Sequence, residues 1–274
     1  MKFSILFFLF LFFLNYLFPE SYDIIIKKKS IKSNGDVAHI FLYPFEIDAE
    51  KTDVKIFTPQ GNLVEQEIIW AKNSQPLQII FNCSSGDDLY FVKLSHKNDD
   101  DKISSSKWEY KAGLILETRE FKNGEIDTLE QVKNLWNESK KVYGKSLVPA
   151  VFHGCHLHGE QLNFISYYKG FLIAPEDGEY TFATVSDDAS FLLINDSEVV
   201  SWPGWHGIEK GRHGQYNSQT KLKKGIHKLE YYHVQGLGPT ITVAAWKTPK
   251  NERLQLISPQ SFVPIVQFQT SEIL

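Results

Sequence analysis

The sequence has few of the features that mark a disulfide scaffold or a nucleic-acid binder. It contains two cysteines, Cys83 and Cys155, among 274 residues, far fewer than a disulfide-rich domain needs. The two could pair, but we predict two buried thiols instead. Lysines and acids are mixed along the chain, with a formal net charge of −4. The sequence therefore has no clustered basic surface for nucleic acid.

Motifs that would supply a catalytic nucleophile or a phosphate site are also missing. The sequence has no G-x-S-x-G elbow, no phosphate-binding glycine loop and no H-E-x-x-H helix. A glycosidase would need two carboxylates on opposite sides of one bond, about 5–10 Å apart. The adjacent Asp187 and Asp188 do not suit that geometry. We therefore predict a protein that is not an enzyme.

A continuous hydrophobic run opens the chain. It extends from Phe3 to Phe18, follows a single lysine and ends in polar residues, which is typical of a secretory signal peptide. An uncleaved anchor is the alternative because no A-x-A cleavage site is visible, but the run is short for a span of about 20 residues. We predict a signal peptide over residues 1–21, a secreted or cell-surface location, and no membrane attachment of the mature protein.

Two β-rich stretches follow, separated by a polar segment. Six short β-rich runs with intervening turn residues predict a small antiparallel β-sandwich over residues 22–96. Residues 97–111 contain few apolar side chains and read as a solvated linker. A second domain is predicted over residues 112–266, and residues 267–274 read as a tail.

The second domain is predicted to be mainly antiparallel β with one helix near its start. Asp127 and Glu130 have the spacing of a capping box, and Gly144 suits a helix C-terminus. Between them, apolar residues recur at helical spacing. After Pro149 the pattern returns to strand-like runs separated by turns. The fold class is therefore predicted to be all-β, with two β domains in series.

The segment HGCHLHG, from His153 to Gly159, gathers three histidines and Cys155. Imidazole and thiolate are good transition-metal ligands. In a strand, however, His156 and His158 would share one side while His153 pointed to the other. This geometry favours structural histidines over a metal site.

The segment SWPGWHG places Trp202 and Trp205 in a loop shaped by proline and glycine, with His206 beside them. Aromatic rings next to a polar group form platforms for the apolar faces of ligands, sugars included. The alternative is that a tryptophan fills the end of the core, where burial of an indole contributes about 2 kcal/mol or more. We expect one tryptophan to be buried and one to be partly exposed.

Adjacent acids at Asp187 and Asp188 interrupt a strand-like alternation. If the chain turns sharply there, both carboxylates can converge on a hard cation such as calcium, which takes six to eight oxygens. The alternative is that one aspartate caps backbone N–H groups while the other lies in solvent. Spacing alone favours the second interpretation, because calcium needs more ligands than two.

Three ordered segments make the second domain resemble a known family. They are AGLILETREF at residues 112–121, the long run from Ser166 to Trp202 that contains S-D-D, and LKKGIHKLEYYHVQGLGPTITVAAW at residues 222–246. Over roughly residues 113–264 they are similar to the lectin-like PA-fourteen family of toxin protective antigen, yeast flocculins and glycosidase inserts. The resemblance implies an antiparallel β-sandwich or barrel that binds carbohydrate.

The resemblance also implies a metal site at the adjacent acids. In flocculin-type members a cis peptide joins the paired aspartates, which bind calcium that in turn holds sugar hydroxyls; the matching residues here are Asp187 and Asp188. Those members complete the site with an asparagine and with loop carbonyls. The matching loop here has no asparagine. The substitutes it offers are the Gln235 side chain and the carbonyls of Gly236, Leu237 and Gly238.

Two hypotheses follow for function. The first is a secreted, non-catalytic glycan-binding module, calcium-assisted through Asp187 and Asp188. Its sugar would lie near five residues: Trp202, Trp205, His206, Gln235 and Gly236. The second is a structural or adhesive β-module of an extracellular assembly, in which the aspartates serve only the fold.

Overall fold

A computed structural model of the chain describes residues 23–29, 35–43, 49–72, 75–96 and 108–273. The predicted signal peptide and most of the predicted linker lie outside these residues. Strands dominate what is described, so the predicted all-β class is confirmed. No helix in the described residues has the length and apolar character of a membrane span.

Strands and one α-helix account for most of the described chain. The helix, α1, spans Leu129–Glu138. The strands are β1 (Ile24–Lys28), β2 (Val37–Leu42), β3 (Thr52–Phe57), β4 (Gln66–Trp70), β5 (Leu77–Asn82), β6 (Leu89–His96), β7 (Leu114–Glu120), β8 (Val142–Leu147), β9 (Phe152–His153), β10 (Phe164–Ala174), β11 (Gly178–Asp187), β12 (Ser190–Ile194), β13 (Ser197–Trp202), β14 (Tyr216–Leu222), β15 (Gly225–Gln235), β16 (Ile241–Lys247), β17 (Gln255–Leu256) and β18 (Val266–Ile273).

The chain divides into two compact units. The first combines Met1–Tyr110 with Ile265–Leu274, and the second comprises Lys111–Pro264. The second unit is therefore inserted, in sequence, before the last strand of the first.

The first unit contains all six strands that the sequence predicts between residues 22 and 96. Its strand order is β3-β6-β1-β18-β2-β5-β4. Alternate residues of these strands point to one side, as the two-residue period of a strand requires. They form a single core in which Ile26, Ile40, Ile56 and Ile79 are fully buried.

The predicted C-terminal tail is wrong for this structure, because residues 266–273 form β18 in the middle of the first sheet. β18 pairs antiparallel with β1 and parallel with β2. Val266 and Phe268 are buried, and the Phe268 ring packs edge-on against Phe81 and Tyr90 at centroid distances of 5.2 and 5.5 Å. The parallel pairing also means that this sheet is not wholly antiparallel.

The second unit is built from two sheets that enclose one core. The larger has the order β13-β12-β15-β10-β7-β8, and the smaller has the order β14-β11-β16-β17, with β9 also paired to β16. Side chains between the sheets include Tyr168, Tyr180, Leu192 and Tyr231. Helix α1 covers the outer face of the larger sheet, where Val132 and Trp136 join a second cluster.

Helix α1 starts one residue later and ends earlier than the sequence predicts. The N-cap is Thr128, whose hydroxyl accepts a hydrogen bond from the Gln131 N–H at 3.2 Å while the Gln131 side chain accepts from the Thr128 N–H at 2.9 Å. The capping box is therefore Thr128–Gln131 rather than Asp127–Glu130.

Gly144 belongs to β8 rather than to a helix C-terminus. After Ser139 the backbone becomes extended and pairs with β7. A Cβ on Gly144 would lie 2.5 Å from Cγ of His158, so the glycine allows the imidazole to pack against the strand. Pairing with β7 therefore outweighs the helical spacing of Val142 and Tyr143.

The two cysteines are both free thiols, but only one is buried. Cys83 lies in the first unit, where burial raises its pKa to about 11. Cys155 lies on an exposed loop of the second unit. The prediction of two buried thiols is therefore wrong for Cys155.

Candidate functional site

The adjacent acids lie where the chain crosses from the smaller sheet to the larger one. Asp187 ends β11, and β12 begins at Ser190. The peptide bond between Asp187 and Asp188 is cis, which agrees with what the family resemblance implies. We call these two residues the acidic turn. It is tied to β15 because the Asp188 N–H donates to the Val234 carbonyl at 3.0 Å and the Val234 N–H donates to the Ala189 carbonyl at 2.9 Å.

Asp188 holds two other loops against the acidic turn. It is buried, with 6% of its surface exposed. Its Oδ1 accepts from the His206 N–H at 3.1 Å, and its Oδ2 accepts from the Gly236 N–H at 2.9 Å. We call residues 202–207 the tryptophan loop and residues 235–239 the glycine loop. One carboxylate therefore brings both loops to the same place.

Asp187 has a different environment. Its carboxylate has no hydrogen-bond partner within the described ranges, whereas its backbone carbonyl accepts from Nε2 of His233 at 2.8 Å. Partial burial, the Asp188 carboxylate and the Glu209 carboxylate together raise the pKa of Asp187 to about 6. A cation or a hydroxyl donor that approaches this carboxylate therefore stabilises its charged form.

The two tryptophans of the loop have opposite exposures, as predicted. Trp202 is only 3% exposed, because its indole is stacked between His206 and Tyr216 at centroid distances of 3.7 and 4.2 Å. Trp205 is 56% exposed and packs on Gly236, where a Cβ would lie 2.5 Å from the indole. Trp205 can therefore face a ligand, but Trp202 has no free face and the prediction that it lies against a sugar is not supported.

His206 serves the loop mainly through its backbone and its stacking. Its N–H binds Asp188, and its ring lies flat on Trp202. Burial lowers the pKa of His206, so the ring is neutral at physiological pH. This arrangement holds the tryptophan loop in shape and leaves Trp205 at the surface.

The glycine loop is closed by its own contacts. Gln235 is fully buried, and its amide nitrogen donates to the carbonyls of Leu237 and Pro239 at 3.4 and 3.3 Å. The Gly236 carbonyl accepts from the Asn163 N–H at 3.0 Å. The Gly236 carbonyl is therefore already engaged, although a carbonyl can accept a second interaction, whereas the Gln235 amide oxygen, Oε1, has no hydrogen-bond partner in the described part of the chain.

Two residues of this site are not singled out by sequence reasoning. Glu209 lies two residues beyond the quoted tryptophan segment and faces Asp187 electrostatically. Asn163 has a positive φ of 57° and bridges Gly236 to Phe121 through its backbone. Asparagine tolerates this conformation better than most residues, which is the only sequence signal for its role.

The histidine segment does not form the strand that the prediction assumes. Only Phe152–His153 is a strand, which buries His153, and the loop that follows it buries His156. The His156 ring stacks on Phe164 at 4.0 Å, and its Nε2 is 2.8 Å from the Thr118 hydroxyl. In the described part of the chain, no group of three or more histidine, cysteine, aspartate or glutamate side chains is placed to hold a metal ion.

One family model matches a stretch of the second unit. Residues 156–257 match the family model of the PA14 domain. The resemblance predicted from the sequence is thus confirmed for this stretch, which we call the PA14 region and which contains the acidic turn and both loops. No curated protein matches the chain.

Several solved structures are similar to the chain at low identity. The PA14 domain of the antifreeze protein MpAFP is 13% identical, with 64% of this chain and 98% of that chain covered and a TM-score of 0.48. A PA14 sugar-binding domain from an RTX adhesin is 15% identical, with 57% and 99% covered and a TM-score of 0.47. The Epithelial Adhesin 9 A domain from Candida glabrata, in complex with Galb1-3GlcNAc, is 10% identical, with 57% and 90% covered and a TM-score of 0.43. Likeness at this level does not transfer a function.

Asp188 is expected to contribute far more to stability than Asp187. Replacing Asp188 with alanine leaves the His206 and Gly236 N–H groups without their acceptor, and each such loss costs about 1–3 kcal/mol. We therefore expect Asp188→Ala to lower the free energy of unfolding by about 3 kcal/mol in urea denaturation. Asp187→Asn is the matched control and should change it by less than about 1 kcal/mol, because its carboxylate has no described partner to lose. Equal losses from the two variants would contradict this assignment.

Proposed function

We propose that the PA14 region is a non-catalytic carbohydrate-binding module of a secreted or cell-surface protein. The observation that carries the proposal is that the exposed Trp205 ring adjoins the acidic turn, since a Cβ on Gly236 would lie 2.5 Å from the indole and 3.2 Å from Oδ2 of Asp188. In that turn the Asp187 carboxylate has no hydrogen-bond partner among the described residues. A sugar presents hydroxyl donors on its edge and C–H groups on its face, so it needs a polar anchor beside an aromatic surface. Leu237, which is 74% exposed beside Gly236, extends the apolar side of this surface.

The ligand would lie on Asp187, Trp205 and the outer side of the glycine loop. Asp188, His206 and Gly236 then support the site through the two hydrogen bonds to the Asp188 carboxylate. Gln235 supports it by donating hydrogen bonds to the Leu237 and Pro239 carbonyls of the glycine loop. Most of the residues predicted from the sequence thus support the site without contacting the sugar.

Calcium is proposed as a cofactor on the chemistry of the same residues. Partial burial, and after it the negative charges of Asp188 and Glu209, raise the pKa of Asp187, so a cation would stabilise its charged form, and carboxylates are the ligands calcium prefers. The oxygens that fit are those of Asp187 and Asp188, with Glu209 near enough to add to the field. A bound calcium would supply charge and coordination for sugar hydroxyls, and the chain itself would fix the two carboxylates.

A glycan array on the full chain tests the proposed function. The intact protein should bind a subset of glycans in calcium and lose that binding in chelator. Trp205→Ala should weaken binding by roughly tenfold or more, since loss of an aromatic stacking surface costs about 1–3 kcal/mol. Phe41→Ala, which removes an exposed aromatic ring of the first unit, is the matched control and should leave the array unchanged. A protein that binds no glycan in either buffer would refute the proposal.

A structural or adhesive module is the second candidate, and one observation favours it. Both oxygens of Asp188 are used to hold backbone N–H groups, which is what an aspartate that serves only the fold would do. This reading predicts that calcium raises neither the melting temperature nor glycan binding. A calcium-dependent rise in melting temperature that Asp187→Asn abolishes would exclude it.

A further inference from the structure

A row of buried polar side chains crosses the larger sheet beneath the acidic turn. Thr118, Ser166, His233 and Ser190 are direct neighbours on β7, β10, β15 and β12, and all four are fully buried. The strand period places Ser166 and His233 on the same side as Tyr168 and Tyr231, between the two sheets. A polar row inside an otherwise apolar core needs hydrogen-bond partners for each of its members.

Most of these partners are present. The Ser190 hydroxyl lies 2.7 Å from the hydroxyls of Thr184 and Ser186, and the Thr184 hydroxyl also lies 2.7 Å from that of Tyr231. On the other side of the row, the Thr118 hydroxyl lies 2.8 Å from Nε2 of His156. Both ends of the row are thus satisfied by protein groups.

The middle of the row is different. The buried side-chain atoms that have no hydrogen-bond partner among the described residues include three in this region: Oγ of Ser166, Nδ1 of His233 and Nε2 of His153. The three residues are at most 3% exposed. They are close together, because Ser166 is paired with His233 across the strands and the His153 ring lies 5.1 Å from the His233 ring. Leaving such atoms unsatisfied costs about 1–3 kcal/mol each.

The tautomers of the two histidines are complementary. Nε2 of His233 donates to the Asp187 carbonyl, so its Nδ1 carries a lone pair and accepts. Nδ1 of His153 lies 2.6 Å from the Tyr168 hydroxyl, which can donate to it or accept from it. The tautomer in which the phenol donates is favoured, because the other would set two unprotonated ring nitrogens, Nε2 of His153 and Nδ1 of His233, side by side in the interior without a donor. Nε2 of His153 then carries a hydrogen. One unsatisfied donor therefore faces one unsatisfied acceptor, with a hydroxyl beside both.

We propose that Ser166, His153 and His233 form a binding site for a single internal water molecule that positions the acidic turn. The water accepts from Nε2 of His153, donates to Nδ1 of His233 and shares its remaining hydrogen bond with Ser166, which gives it the three partners typical of buried water. A direct bond between the two rings would leave the Ser166 hydroxyl unsatisfied. A metal ion does not suit the site, because within the described residues no group of three or more histidine, cysteine, aspartate or glutamate side chains is placed to hold one.

The water acts on the acidic turn through His233. By holding Nδ1 of His233, it fixes the ring so that Nε2 stays directed at the Asp187 carbonyl. His233 is thus a positioning residue for the turn. This inference stands independently of glycan or calcium binding, because it concerns the interior behind the turn.

A high-resolution crystal structure of the full chain tests the site directly. We expect one solvent peak about 2.7–3.2 Å from each of the three atoms, without anomalous signal. Contact between the two imidazole rings with no solvent peak, or an anomalous peak that identifies a metal, would overturn the proposal. Nitrogen-15 spectra of the histidine rings give a second readout, in which both rings should be protonated at Nε2 and the His153 proton should show a cross-peak to water. Protonation of His153 at Nδ1 would contradict it.

Two serine variants provide a matched pair. Ser166→Ala removes one of the three partners, and we expect the water cross-peak of His153 to be lost or reduced severalfold. Ser190→Ala changes the serine on the other side of His233, whose hydroxyl already has protein partners, and should leave the cross-peak unchanged. An unchanged cross-peak in Ser166→Ala, or equal losses in both variants, would remove Ser166 from the site.

Discussion

A chain truncated after Pro264 is expected to lose the folded first unit while it keeps the second. Strand β18 lies between β1 and β2, so its removal leaves each of them paired on one side only and divides the sheet into two parts. It also removes the buried Val266 and Phe268 side chains, each worth about 2–3 kcal/mol of burial. A domain is stable by only about 5–15 kcal/mol, and the loss of burial plus eight residues of strand pairing should exceed that margin.

Limited proteolysis and circular dichroism can separate the two units. In the truncated chain we expect rapid cleavage within the first unit and one remaining cooperative transition from the second. A synthetic peptide of residues 265–274 should restore protection when it is added in trans. Phe268→Ala in the full chain is a milder control with an expected cost of about 3–5 kcal/mol. A truncated chain that melts in the same two steps as the full chain would contradict the role of β18.

Acidification is expected to destabilise the second unit strongly between pH 6.5 and pH 4. Burial lowers the pKa of His153 to about 2 and that of His233 to about 4, from an ordinary value of 6.5. Between pH 6.5 and pH 4 these two histidines are therefore mostly protonated in the unfolded chain and mostly neutral in the folded chain. Each of these two histidines adds stability that is fully present above pH 6.5 and is lost as the pH falls, at about 1.4 kcal/mol per pH unit. At pH 5 the two together remove about 4 kcal/mol.

One acid opposes this trend. The pKa of Asp187 is raised to about 6, so its contribution to stability is greatest at low pH and is lost as the pH rises. The buried histidines outweigh it, because there are more of them and they are better shielded from solvent. Urea denaturation at pH 7.5 and pH 5 measures the difference, and His153→Gln should reduce the slope with pH. Stability that is constant or rises on acidification would contradict the assignment of neutral histidines to the core.

Much of the fold could be predicted from local patterns. The strands of both units follow from two-residue alternation bounded by turn residues, as in Phe164–Ala174 and Ile241–Lys247. The final strand could not be predicted in the same way. Its partners begin at Ile24 and Val37, more than 200 residues earlier, and nothing local in the segment distinguishes a paired strand from a tail. The helical spacing of apolar residues continues past Ser139 and predicts a longer helix. α1 ends at Glu138 instead, because Val142 pairs with β7.

The position of the acidic turn could be predicted from the sequence, but the contacts that the neighbouring loops make with it could not. The adjacent acids mark it in the sequence, and the contrast between a buried and an exposed tryptophan follows from the size of the indole ring. Asp188 is the carboxylate that holds the loops, and Asp187 is the one left without such bonds, because the His206 and Gly236 N–H groups both reach Asp188. The burial of Gln235 and the proximity of Glu209 depend on loop conformation in the same way. These are three-dimensional facts that spacing along the chain does not encode.

Glycan binding by Asp187→Asn, compared with that of the unchanged protein on the same array in calcium, is the most direct test of this account. The substitution keeps the size of the side chain and removes its charge, and it is expected to leave the fold intact. We predict that the variant keeps its melting temperature within a few degrees and loses at least tenfold in glycan affinity. An Asp187→Asn protein that binds the same glycans with the same affinity would contradict the claim that the acidic turn is the ligand site.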